Sequence, residues 1–559
     1  MANRTSRLVS ACLYCSLMAT VTAGQSSRPS QTDTSISAKT ELVEVPVVVR
    51  RGGKHVAGLS AKDFKLQQDG KDQAITLFQE GHSAAPVPRP TEPGSFTNIP
   101  SPGESPQQVT IIALDTINTE TLDLAYFQKE LISYLSDNPL KAPIGMVELR
   151  RDGIHVIQDF TRDPERLLAV VKKKKATQAA NNDKSANLLE EMMREQQDVI
   201  MPDPAYGAGQ AELVVERMSV FQDLTARIDS LLALQQLAQA LKGIPGRKTL
   251  VYVSSGFQFL NGALDESRVP FSNKASISPF SPERLSASLD QHAYTWKLLN
   301  DANVAVYPID ARRTANPAFE AMDTTYLARP RPRDYSVSNN KDAEIVGNFE
   351  SLAGQTGGKP CVFRTDLNNC LREAVDDNQD YYLLGFHVDK AHNQAGYHKL
   401  NIKLNQRAAL RYREGFAIGD TNGEVARQTD LQLALNSPVS YTALPFSGRF
   451  KAITPEPNGK TVDFEIQIPS SSMTIDDATG KVSFDVVALV RARGGKEITR
   501  VAQRVDRTLS PENIAQIRRV GISYINKLHI PSGSYGTWIV VRDNLSARTG
   551  SVVAPLEVP

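Results

Sequence analysis

The sequence predicts an α/β protein: a doubly wound, mostly parallel six-stranded sheet flanked by β-sandwich modules on its N- and C-terminal sides. Three observations predict it. Val109 to Asp115 (VTIIALD) is an unbroken apolar run, as a strand covered by helices on both faces requires. Apolar strands then alternate with amphipathic helical stretches as far as Phe386. On either side of that region, short alternating segments broken by turn residues replace the helical period. At 559 residues the chain is too long for one core, and about two to four domains are expected.

The chain begins with Arg4 and Arg7, an uncharged run from Leu8 to Ala23, then Gly24 and a polar stretch. Residues 1–24 therefore read as a secretory signal peptide, and the mature protein is expected to be secreted or periplasmic. The run is short and diluted by Ser and Thr, whereas a spanning helix needs about 20 apolar residues. Membrane contact is thus expected only before cleavage. Cys12 follows too few apolar residues for a lipoprotein box. Losing the two arginines takes the formal charge from +1 to −1. That balance gives no electrostatic footprint for nucleic acid. The mature chain keeps Cys361 and Cys370, nine positions apart. An even pair in an exported chain suggests a disulfide, contributing on the order of 2–3 kcal/mol. Free thiols or half a metal site are the alternatives.

Residues 25–37 are rich in Ser and Thr and are expected to be disordered. Residues 38–82 read as a small β-sandwich: Leu42 to Val49 is β-branched, Arg51 to Lys54 is a turn, and Gly70 marks a hairpin. Residues 83–108 hold seven prolines and read as a stiff linker. The α/β domain is placed at 109–420. Leu122, Phe127, Leu131 and Leu135 fall on one helical face, and Ile144 to Leu149 is the next strand. The turn at Arg151-Asp152-Gly153 forces an antiparallel edge strand, Ile154 to Phe160. Pro164 opens a helix whose end, Lys172 to Lys175, reads as solvated. Residues 176–212 are polar and read as an insertion. Leu224 to Leu241 carries the broad apolar stripe of a buried helix, stopped at Gly243 and Pro245. Thr249 to Val253, Val304 to Ile309 and Tyr381 to Phe386 complete six strands, with helices around Tyr294 to Leu299 and Glu344 to Ala353 between them. Residues 425–559 read as a second sandwich, with one helical stretch at Pro511 to Lys527.

Three phrases, "VEVPVVVRRGGKHVAGLSAKDFKLQQDGK", "IPGRKTLVYVSSGF" and "YYLLGFHVDKAHNQAGYHKLNIKL", together resemble a bacterial family of exported proteins with a von Willebrand factor A-type domain. The resemblance covers about residues 40–420 and implies fold and export more than any one partner. In such domains a D-x-S-x-S motif, a loop threonine and a later aspartate hold a divalent cation. Here Asp115 matches, Ile117 replaces the first serine, and Thr119 can replace the second. Thr225 is the candidate loop threonine, and Ser255 stands where the second aspartate is expected. Asp310 ends a neighbouring strand and could lend charge. Mg²⁺ normally needs carboxylates among its ligands, so this set describes a degenerate adhesion site. The competing reading makes Asp115 the N-cap of the helix that follows it.

His387, Asp389, His392 and His398 lie close together, but their spacing is irregular for zinc. Gly243 to Thr249 and Gly354 to Lys359 lack phosphate-loop spacing. The sequence therefore predicts a non-enzymatic binding or adhesion protein taking a protein or cell-surface ligand, with Mg²⁺ or another divalent cation as the implied cofactor. A structural cell-envelope component with a vestigial, metal-free site is the alternative. A hydrolase built on Asp115 and the His387 cluster is the third reading.

Overall fold

The computed structural model describes residues 40–81, 95–98, 108–137, 139–140, 142–173, 226–256, 282–312, 335–389, 396–418, 423–457, 459–476 and 478–559. The stretches expected from sequence to be a signal peptide (1–24), disordered (25–37) and an insertion (176–212), together with Thr225 and His392, lie outside them. The fold is mixed α/β, with antiparallel sheet predominating.

The central sheet has five strands in the order Val304–Asp310, Lys248–Ser254, Val109–Asp115, Ile144–Arg150, Gly153–Thr161. The first four are parallel and the last is antiparallel, as the tight turn at Asp152 requires. Side chains alternate between two faces, and both are covered. On one face Ile111, Leu250, Tyr252 and Val306 pack with Leu234, Leu237, Phe349 and Leu352. On the other, Ile112, Val251, Val253 and Tyr307 pack with Phe127, Leu131, Leu167 and Leu371. Strands buried on both sides explain why these runs are apolar throughout.

Two expectations need correction. The sixth strand is not in this sheet: Tyr382–Asp389 pairs antiparallel with Thr40–Arg51, in the register Thr40↔Asp389 to Val47↔Tyr382. The N-terminal β-module is also larger than residues 38–82. Gly396–Leu404 pairs with Phe64–Gln68, and Ala409–Arg411 pairs with Thr40–Arg51. The two sheets enclose Val45, Val47, Phe64, Leu384, Ile402 and Phe416. Residues 382–418, assigned from sequence to the α/β domain, thus complete the N-terminal module. Strand Thr40–Arg51 has five buried valines and needs apolar partners that the first 82 residues do not supply in number.

The C-terminal module is two four-stranded antiparallel sheets around one core containing Phe446, Phe464, Val486, Leu528, Ile539 and Val541. Its fourth strand on one sheet is Ser95–Thr97, from the stretch read as linker, which pairs with Ser447–Glu456. A buried ion pair ties this module to the α/β layer. Asp430 in the helix Glu424–Asn436 takes Arg542 Nε at 3.0 Å and the Tyr294 hydroxyl at 2.7 Å. No helix among the described residues is long and apolar enough to cross a membrane.

Candidate functional site

Asp115 ends its strand at the carboxyl rim of the central sheet, where open α/β sheets place ligands. The chain then turns before helix Thr121–Asp137. The register of Lys248–Ser254 against Val109–Asp115 brings Ser254 beside Asp115. Tyr252, two residues earlier, points the same way because strand side chains alternate.

The Asp115 carboxylate is fully buried and accepts five hydrogen bonds. Oδ1 takes the backbone N–H of Ile117 at 3.0 Å and of Asn118 at 3.1 Å. Oδ2 takes Asn118 Nδ2 at 2.8 Å, the Ser254 hydroxyl at 2.8 Å and the Tyr252 hydroxyl at 2.5 Å. Asn118 Nδ2 also reaches Ser230 Oγ at 2.8 Å, on the helix over this face. Burial raises the Asp115 carboxyl above its ordinary range, while the Tyr252, Asn118 and Ser254 donors pull it back. Burial and the adjacent Asp115 charge push the Tyr252 phenol well up, so it stays a donor.

Thr119 and Ser255 sit at the same rim and are bonded to each other. Thr119 Oγ1 accepts the Ser255 N–H at 3.0 Å. Ser255 Oγ donates to Asp123 Oδ2 at 2.7 Å, in the first turn of the next helix. Asp310 lies beside Ser254 in register, and both its oxygens are engaged by Arg312, at 2.9 and 2.6 Å. Thr225 lies outside the described residues. Asp115 therefore meets donor hydrogens on both oxygens. The helix N-cap expected for Asp115 is not formed: its carboxylate takes the N–H groups of Ile117 and Asn118 in the loop, ahead of the helix that begins at Thr121. Among the described residues, no group of three or more His, Cys, Asp or Glu side chains is placed to hold a metal ion.

The other expectations also find their places. Cys361 and Cys370 are disulfide-bonded, with Cα atoms 6.1 Å apart. Cys361 continues the sheet edge: its N–H reaches Pro308 O at 2.8 Å, and its carbonyl takes the Asp310 N–H at 3.0 Å. Phe363 follows, past the carboxyl end of that edge, 66% exposed and at φ +53°. His387 is exposed, whereas His398 is buried against Phe416 and binds Asp69 Oδ2 at 2.7 Å. Both belong to the N-terminal module, and they do not converge on Asp115.

Sequence reasoning missed Tyr252, Ser254, Asn118 and Asp123. Aligning the two apolar strands end to end would have found Ser254, because it pairs Asp115 with the first serine of "VSSG" and not the second.

No family model matches the chain, and no curated protein matches it. Among solved structures, a Bacteroides uniformis beta-glucuronidase is similar over 32% of this chain and 19% of its own, at 9% identity and a TM-score of 0.14. B. uniformis beta-glucuronidase 2, covalently bound to cyclophellitol-6-carboxylate aziridine, matches with the same figures. The chain thus spans about a fifth of those proteins. A likeness of that size carries no argument about fold or activity.

Proposed function

We propose that this is an exported, non-catalytic binding protein, whose central layer is a degenerate relative of the von Willebrand A sheet. Its carboxyl rim takes a protein or cell-surface ligand without a bridging cation. The observation that carries this reading is Phe363, an exposed aromatic side chain held at the rim in the left-handed backbone region. Large residues rarely stay there unless their surroundings impose it, and such outliers cluster at functional sites. The disulfide, the Arg364–Asp366 ion pair at 2.5 Å and the Tyr126 hydroxyl on Thr365 O at 3.1 Å fix the segment. Exposed Leu122, 55% accessible, begins the helix that follows Asp115. Aromatic anchors of this kind carry much of the energy of protein interfaces. Five donors already organise Asp115, so the rim needs no metal to keep its shape.

Capture from a cell-envelope extract by the mature protein tests the proposal. Phe363→Ala and Thr119→Arg should each abolish recovery of the same partner, while His387→Ala and added EDTA should leave it intact. Recovery indifferent to both rim variants, or dependent on Mg²⁺ and lost in Asp115→Ala, would sink it.

A further inference from the structure

We draw no further inference here: the strongest candidate, the exposed apolar patch of Val156 and Phe160 on the edge strand Gly153–Thr161 of the central sheet, carries none, because nothing among the described residues shows what covers it.

Discussion

Tyr252 shows how much of the rim rests on single atoms. Its hydroxyl lies 2.5 Å from Asp115 Oδ2, inside a site closed to water. Tyr252→Phe keeps the ring but leaves the buried carboxylate one donor short. We predict a loss of about 1–3 kcal/mol in denaturant unfolding; an unchanged midpoint would show the bond contributes nothing. Lys248 makes a pH prediction. Burial pushes its ammonium down to about 7 from 10.5. Between those values the unfolded chain holds a proton that the folded chain lacks, so this group's contribution to stability rises with pH across that window. Against Lys248→Met, the unaltered protein should gain up to about 1.4 kcal/mol per pH unit between about pH 7 and 9; parallel stability curves would contradict this. Asp115 itself was legible in the sequence because a carboxylate closing the run Val109 to Leu114, apolar but for Thr110, marks the end of a strand. Its two distant donors were not, since Tyr252 and Ser254 sit more than 130 positions later and only register places them.

Among the elements, the short loop from Cys361 to Cys370 does more than its length suggests. It extends the Val304–Asp310 edge and anchors the helix Leu367–Gln379, whose residues Leu367, Cys370, Leu371 and Ala374 are buried. Cys361→Ser with Cys370→Ser should cost on the order of 2–3 kcal/mol. Hydrogen exchange should quicken first at the Asp310 and Cys361 amides, which bond across this edge. Unchanged exchange there would show that the edge holds without the bridge. Legibility at this scale was uneven. The strands before Asp115, Ser254 and Asp310 were all readable from apolar runs. The helix expected over Pro511 to Lys527 instead stops at Val520, because Gly521 turns into the left-handed region at φ +80° and the chain continues as strand Ile522–Ile530. Tyr382–Asp389 was recognisable as a strand but not as antiparallel. Apolar content does not specify direction, and its partner begins at Thr40.

Across the whole molecule, the modules are joined by buried polar contacts as well as apolar ones. Arg542 is 0% and Asp430 1% exposed at the side chain. Asp430→Ala would strand the guanidinium and should cost about 3–5 kcal/mol, whereas Asp430→Leu with Arg542→Met should cost less than either change alone. A double-mutant cycle checks this, and simple additivity would deny the coupling. Domain organisation was the least legible level. Composition locates turns and linkers, but Ser95–Thr97 and residues 382–418 cross those boundaries to complete sheets elsewhere.

The pairing of Thr40–Arg51 with Tyr382–Asp389 also sets an order of events. The leading strand leaves the ribosome more than 300 residues ahead of the segment it zips against. Closing so long a loop is entropically slow, and until then a valine-rich ribbon stands unpaired. The α/β layer between them has every strand it needs in one continuous stretch. It can therefore condense first and bring the two distant ends of the N-terminal module together.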